Sequence, residues 1–209
     1  MKKLVVAAAL LAAPAFAATL DLEGDPAHSS ASFAVKHMMV TTVRGEFGKT
    51  NSTLHWNQDD PTRSSVETKI DATSINTNNE KRDGHLKSPD FFDAARCPEI
   101  AFKSTKIEKA GGDKYKVAGD LTMHCVTKPA TLEVSFDGKP VKAPWGATIY
   151  AASASTKVKR SDWGLTWNKA LESGGVVVSD DVQIDVDIEY NAKPAEAKKE
   201  AAAETKAKK

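Results

Sequence analysis

The segment that ends at Tyr190 alternates strictly between apolar and polar residues. The apolar positions are Val182, Ile184, Val186, Ile188 and Tyr190, and the residues between them are Asp, Gln or Glu. Because successive side chains of a strand point to opposite faces, this alternation predicts a strand with one dry face and one solvated face. Shorter segments near Phe33, over residues 65–70 and over residues 131–136 repeat the pattern.

Turn residues separate the alternating segments. Gly111-Gly112-Asp113 lies between two of them and predicts a hairpin, and Asp137-Gly138 follows a third. We count about eight strands and no helix-length stripe of apolar residues, so the fold class is all-β, either an antiparallel barrel or a sandwich. Residues 78–95 do not alternate, and their Asn, Asp, Gly and Pro residues predict a long connection with one or two short helical turns.

The first residues have the organisation of a secretory signal peptide, which we predict to span residues 1–17. Two lysines precede an apolar run over residues 4–13, and Ala15-Phe16-Ala17 forms a small-residue cleavage site. The run is too short for the roughly 30 Å hydrocarbon core of a bilayer, which argues against a membrane anchor. We therefore expect export to the periplasm and a mature chain that begins at Ala18.

The end of the chain differs in composition from the body. Residues 192–209 are almost entirely Ala, Lys and Glu, so they predict a disordered, solvated tail. Residues 18–191 are ample for one hydrophobic core and small for two, which predicts a single domain. The net charge of the whole chain is +1, which gives no electrostatic footprint for nucleic acid, and no further apolar run is long enough for a transmembrane segment.

Residues 147–158 are small on both alternating faces. Ala152, Ala154 and Thr156 share one face, and Ala151 lies on the other. An eight-stranded barrel has an interior just wide enough to be filled by side chains or to hold one elongated ligand. Small inward residues would leave room for a ligand, unless large side chains opposite fill the space.

Motifs that bind metals or phosphates, or that mark catalytic nucleophiles, are absent from the sequence. The five histidines include no pair at helical metal-ligand spacing with a third ligand nearby, and there is no phosphate-binding glycine loop and no Gly-x-Ser-x-Gly. We therefore predict no catalytic residues, no metal and no cofactor. The absence of these motifs favours a binding protein over an enzyme.

Two cysteines, Cys97 and Cys125, are present. Export would place them in an oxidising compartment, where an even count favours a disulfide. The turn at Gly111-Gly112 is roughly equidistant from both, so a hairpin would bring them together at its open end. Strand parity opposes this pairing, because it puts the two cysteines on opposite faces when their apolar neighbours face inward. We expect Pro98 to break that count with a local irregularity.

Several short motifs, in order along the body, carry a resemblance to a known family. They are Asp25-x-x-His28-Ser29-x-x-x-Phe33-x-Val35-x-His37, Gly45-x-Phe47, Ile70–Ile75, Arg82-Asp83-x-His85-Leu86-x-Ser88-x-Asp90-Phe91-Phe92-Asp93, Pro98-x-Ile100-x-Phe102, Gly119-x-Leu121-Thr122, Val126-Thr127-Lys128-Pro129 and Arg160-Ser161-Asp162-Trp163-Gly164-Leu165. Together they resemble the YceI-like family of exported, lipocalin-like proteins. The resemblance covers nearly the whole body and excludes both ends.

The resemblance implies an elongated eight-stranded antiparallel barrel around an apolar tunnel, in which some members hold a polyisoprenoid or a related long-chain amphiphile. On that basis the candidate ligand-binding wall residues are Phe33, Val35, Phe47, Phe102, Leu121, Met123, Leu132, Val134, Phe136, Trp163, Leu165 and Trp167. Phe91 and Phe92, on the long connection, are candidate lid residues. His85, with Arg82 and Asp83, is a candidate contact for a polar head group.

Two positions depart from the family pattern. Cys125 stands where members usually have glycine, and Cys97 precedes Pro98 where an aromatic residue is common. Paired replacement at both positions strengthens the expectation of a disulfide that is special to this chain.

The function that this reasoning favours is the binding, transport or sequestration of a long-chain lipophile, a polyisoprenoid or an isoprenoid quinone, inside the tunnel. One alternative is an enzyme of isoprenoid or quinone metabolism that uses His and Asp residues at the mouth. The other is a ligand-free barrel whose acidic wall and basic tail engage a further component of the cell envelope.

Overall fold

The computed structural model describes residues 19–172 and 174–192. This part of the chain forms twelve β-strands, one α-helix and three short 3₁₀ turns. The strands are β1 (Thr19–Gly24), β2 (Ser30–His37), β3 (Thr41–Phe47), β4 (Thr50–Asn57), β5 (Ser65–Asp71), β6 (Ile75–Asn76), β7 (Glu99–Gly111), β8 (Lys114–Met123), β9 (Val126–Ser135), β10 (Val141–Lys142), β11 (Thr148–Lys159) and β12 (Val178–Ala192). The helix is α1 (Glu80–Lys87), and the 3₁₀ turns are Pro61–Arg63, Ala72–Ser74 and Arg160–Trp163.

Eight of the strands close into one antiparallel barrel. Their order around the barrel is β1-β4-β5-β7-β8-β9-β11-β12, and the pairing of β12 with β1 completes the circuit. β11 and β12 share a long ladder that runs from Ile149 opposite Asn191 to Lys159 opposite Asp181. The closed barrel confirms the all-β class and selects the barrel over the sandwich. Closure pairs both edges of every strand in the circuit, which removes the exposed edges of an open sheet.

The wall of the barrel divides at β12. Over residues 190–192 this strand pairs with β1, and over residues 178–187 it pairs with β2. β2 continues through β3 to the short strand β6, so a second branch of sheet extends one end of the barrel. The two branches separate at residues 25–29, where the chain leaves β1 before it enters β2.

Alternation puts the dry face of β12 inside the barrel, as the sequence predicts. Its apolar residues from Val182 to Tyr190 all face the interior. Leu22 on β1 is fully buried, and Tyr190 is 2% exposed. The core therefore lies along the barrel axis, between the inward faces of the strands.

The predicted long connection contains α1. Asn79 caps the helix by accepting a hydrogen bond from the backbone N–H of Arg82 at 3.0 Å. None of the helix residues is buried, whereas Phe91 and Ala94 in the segment that follows are buried. These two side chains attach the connection to the end of the barrel, and the helical turns expected over residues 78–95 are confirmed.

Cys97 and Cys125 form a disulfide, with their Cα atoms 5.4 Å apart. Neither cysteine lies inside a strand, because Cys97 precedes β7 and Cys125 is in the two-residue turn between β8 and β9. The parity objection therefore fails, since it assumes that both residues continue the ladder. Cys125 has a φ of 58°, in the left-handed region that favours glycine, which accounts for the glycine of the family pattern.

The predicted signal peptide, residues 1–17, lies outside the described residues, and so do residues 193–209 of the predicted tail. β12 extends to Ala192, which pairs with Leu22 of β1. Within the described ranges, no helix combines the length and the apolar content that a membrane crossing needs.

Candidate ligand-binding cavity

A narrow cavity of about 210 Å³ runs inside the barrel. Along β12 its lining extends from Val178 to Tyr190, a stretch of roughly 40 Å at about 3.3 Å per residue. The lining side chains are uncharged with the exception of Arg160, and most of them are apolar. Sites for compact drug-sized ligands measure about 300–1,000 Å³. A smaller volume spread over this length suits a linear chain better than a compact ring system.

Aromatic rings close one end of the cavity, where β4 ends and β8 begins. The ring of Trp56 lies 5.7 Å from that of Tyr115 and 4.7 Å from that of Phe136, in both cases edge to face. Phe136 in turn stacks on Tyr150 at 6.3 Å. All four rings are more than nine-tenths buried. We call these four residues the aromatic plug.

The long connection covers the opposite end of the cavity. Phe92 packs edge to face against Phe47, with ring centroids 5.8 Å apart, and Phe47 lies 5.9 Å from Phe33. Phe91 lies 5.2 Å from Trp167, which belongs to the loop between β11 and β12. Because Phe91 and Phe92 both line the cavity, the connection forms a cap over this end.

Most of the side chains that the sequence nominates as wall or lid line the cavity. They are Phe33, Val35, Phe47, Phe91, Phe92, Phe102, Leu121, Met123, Leu132, Val134, Phe136 and Leu165. Trp163 does not: it is 3% exposed and donates its indole N–H to the carbonyl of Leu121 at 2.9 Å, beside the cavity. Trp167 and His85 also lie outside the lining. Contact of any of these residues with a ligand stays a prediction.

His85 belongs to the outer side of the cap. Its Nε2 lies 2.9 Å from a carboxylate oxygen of Asp90, and its ring packs edge to face at 5.0 Å from both Phe91 and Trp167. The imidazole therefore supports the rings that cover the cavity, without lining the cavity itself.

Arg82 and Asp83 hold α1 against the segment that follows β6. Arg82 donates from Nε to the hydroxyl of Thr77 at 2.7 Å and from Nη2 to its carbonyl at 2.8 Å. Asp83 accepts a hydrogen bond from the backbone N–H of Thr77 at 2.9 Å. Neither Arg82 nor Asp83 lines the cavity, so both are placed to fix the cap.

The small residues of β11 face the cavity. Ala152 lies opposite Ile188 of β12, Ala154 lies opposite Val134 of β9, and both alanines line the interior. Open volume remains beside them, so the opposing side chains do not fill the space that they leave. Ala151, which precedes Ala152 in the strand, is exposed on the outer surface.

Two motif glycines make room for aromatic side chains in the wall. A Cβ atom at Gly45 would lie 2.5 Å from the ring of Phe33, and one at Gly119 would lie 2.5 Å from the ring of Phe102. No side chain can be added at such distances without moving the ring. Glycine at both positions therefore keeps Phe33 and Phe102 in their places along the cavity.

Sequence reasoning missed Arg160. The inward positions of β11 recur at every second residue from Ala152 to Val158, and the next one is Arg160, which is 7% exposed and lines the cavity. The alternation of inward and outward residues along β11 is the signal that identifies Arg160. A charged residue in a polar motif is typical of the surface, and this composition outweighs the alternation that places Arg160 inside.

Three hydroxyl groups meet inside the barrel at Tyr190. The Oγ of Ser52 lies 2.7 Å from Oη of Tyr190 and 2.9 Å from Oγ1 of Thr68. Burial raises the pKa of Tyr190 to about 12, although the hydrogen bond to Ser52 acts in the opposite direction. The neutral phenol is therefore the form that the folded barrel holds.

We expect Tyr190→Phe to remove part of the stability loss that the barrel suffers at alkaline pH. The pKa of Tyr190 is about 12 in the folded state and near 10.0 in the unfolded state, so this contribution is complete below pH 10 and is lost as the pH rises through 12. A difference of two pKa units corresponds to about 2–3 kcal/mol. Urea unfolding at pH 8 and at pH 12 measures the loss for each protein. Equal losses in the wild type and the variant would contradict the assignment.

Asp25, His28 and Glu189 form a charged cluster on the outside of the barrel, with potential metal-ligating atoms within 4.8 Å of one another. Nδ1 of His28 lies 3.2 Å from Asp25 and 3.7 Å from Glu189, and the hydrogen bond to Asp25 raises the pKa of this exposed imidazole. None of the three residues lines the cavity. The contacts of His28 with Asp25 and Glu189 hold the segment between β1 and β2 against β12.

A closed antiparallel barrel around a narrow apolar cavity has the architecture of the lipocalin-like barrels. The model of the YceI-like domain matches residues 23–190, from the end of β1 to Tyr190 of β12. The chain belongs to the YceI-like family.

Relatives of known sequence or structure agree with this assignment. UPF0312 proteins from two strains of Staphylococcus aureus, MSSA476 and N315, are each 34% identical over 167 residues, which is 80% of this chain and 95% of theirs. The YCEI protein of Campylobacter jejuni is 30% identical, with a TM-score of 0.64 over 76% of this chain and 90% of that one. A polyisoprenoid binding domain from Saccharophagus degradans shares the fold, with a TM-score of 0.60 at 17% identity over 83% of this chain and 99% of that domain.

Proposed function

We propose that this protein binds a long-chain lipophile, a polyisoprenoid or an isoprenoid quinone, inside the barrel and carries or sequesters it in the periplasm. The observation that carries the proposal is the continuous, narrow, apolar cavity between the aromatic plug and the cap. The Saccharophagus degradans domain of the same fold, described as polyisoprenoid binding, supports it. The periplasmic location rests on the predicted signal peptide.

Burial of apolar surface supplies the affinity in this proposal. Each five-carbon unit that leaves water contributes roughly 4 kcal/mol gross, at about 0.8 kcal/mol per carbon. Several units inside the barrel therefore outweigh the cost of ordering the chain. Since most of the lining carries no polar group, selectivity along the cavity follows the length and girth of the chain.

The ionisable groups of the lining favour binding over catalysis. They are Tyr115, Tyr190 and Arg160. Burial raises the pKa of both tyrosines above the usual 10.0, so both phenols stay protonated near neutral pH. A general acid or base works best with a pKa near the operating pH. The histidine of the cap, His85, is paired with Asp90 outside the cavity.

Native mass spectrometry of protein from the periplasmic fraction of its own host tests the proposal. We expect a chain that begins at Ala18, with a bound species that is removed by organic extraction and identified as a lipid of isoprenoid type. The extracted protein should take up added geranylgeraniol. Protein without bound lipid in every preparation, together with no uptake of geranylgeraniol after extraction, would refute lipid binding.

A further inference from the structure

Arg160 is the one charged side chain that lines the cavity within the described residues. It follows β11 at the start of a 3₁₀ turn and is 7% exposed. At the other end, Trp56, Tyr115 and Phe136 of the aromatic plug line the cavity, and none of these rings is charged. The two ends of the cavity therefore differ in chemistry.

Backbone carbonyls hold the guanidinium of Arg160. Its Nε donates to the carbonyl of Ser179 at 3.0 Å, and its Nη1 donates to the carbonyl of Leu165. Among the described residues Arg160 forms no ion pair within 4.0 Å, and its Nη2 donates no hydrogen bond to them. Asp180 acts on it electrostatically, but the carboxylate of Asp180 accepts hydrogen bonds from Ser161 at 3.0 Å and 2.8 Å.

A buried guanidinium without a directly paired anion is unfavourable, because its charge has lost water and no anion accepts a hydrogen bond from it. Two backbone carbonyls satisfy only part of the five N–H donors of an arginine. An anionic oxygen inside the cavity could accept from the remaining donors, in the planar geometry by which arginine binds phosphates and carboxylates.

We propose that the Arg160 end of the cavity receives the head group of an amphiphile, with an anionic oxygen such as that of a phosphate on the guanidinium and the chain directed toward the aromatic plug. This inference rests on the proposed function, which itself requires only that the cavity accept an apolar chain. Arg160 thus gives the bound lipid a direction.

Geranylgeranyl phosphate and geranylgeraniol test the inference, because they share one chain and differ in head-group charge. Binding to the extracted protein is measured by quenching of tryptophan fluorescence. We expect the wild type to bind the phosphate at least about tenfold more tightly than the alcohol, since hydrogen bonds to charged groups are worth that much. Arg160→Met should remove the preference and change affinity for the alcohol by less than about threefold.

Lys159→Met is the matched control, because Lys159 is the exposed neighbour of Arg160 and its loss changes the net charge by the same amount. It should keep the wild-type preference. Thermal unfolding checks that each variant folds, and Arg160→Lys, which keeps the charge, provides a second variant with a reduced preference. Equal affinity of the wild type for both lipids, or an unchanged preference in a folded Arg160 variant, would overturn the inference alone. Failure of the wild type to bind either lipid would instead overturn the proposed function.

Discussion

Ala154→Trp should abolish lipid uptake while the barrel still folds. Ala154 faces the cavity between Val134 of β9 and Val186 of β12. A cavity of about 210 Å³ spread along the barrel has no room for both an indole ring and a lipid chain at one level. Overpacking of this kind typically costs about 1–3 kcal/mol, which a barrel of this size tolerates. Lipid retained after gel filtration, quantified by mass spectrometry, measures the effect.

Ala151→Trp is the control for that experiment. It makes the same substitution on the same strand, but Ala151 is exposed on the outer face, so uptake should match the wild type. His85→Ala should reduce uptake only modestly, because His85 lies outside the lining. Full uptake by Ala154→Trp together with loss of uptake in His85→Ala would refute binding by burial and favour the enzyme alternative.

Loss of the disulfide should destabilise the protein by about 3–4 kcal/mol. Cys97 and Cys125 are separated by 28 residues, and the chain-entropy model assigns roughly this stabilisation to a loop of that length. For a chain of this size the change corresponds to a decrease in Tm of about 10 °C. Thermal unfolding of the wild type and of the double variant Cys97→Ser, Cys125→Ser measures it.

A second double variant separates the cross-link from the backbone conformation of its turn. Cys97→Ser with Cys125→Gly also removes the disulfide, but glycine adopts the φ of 58° at position 125 without strain, so the loss should be smaller than with serine. Labelling of free thiols in freshly isolated, denatured and unreduced protein provides an independent check. Two labelled thiols in that material would contradict the disulfide.

The strands and the inward faces could be predicted because their signal is local. Alternation on β12 identifies the dry face up to Tyr190, and the same count places Phe102 and Leu121 inside. The alternation does not predict whether a buried side chain lines the cavity or packs beside it. Trp163 and Trp167 lie outside the regular strands, where period two carries no information and the path of the loop decides.

The residues of the turn between β8 and β9 do not identify it as a hairpin turn. Hairpin turns of two residues usually contain Gly or Asn, whereas here His124 and Cys125 adopt φ values of 50° and 58°. Without a recognisable turn, both cysteines count as strand residues, and parity then opposes the bond that their even number favours. Arg160 was missed for a related reason, since charge predicts exposure and only the register of β11 shows that the side chain points inward.

β12, the last of the described strands, also affects when the barrel can form. β12 pairs with β11 on one side and with β1 and β2, from the other end of the sequence, on the other side. Pairings of such high sequence separation are slow to form, because the loop between the partners must first be closed. Until residues 178–192 pair with both neighbours, β1 and β11 have unpaired edges and the cavity has no wall between them. We therefore expect the interior of the barrel to form late in folding, when β12 joins the two parts of the wall.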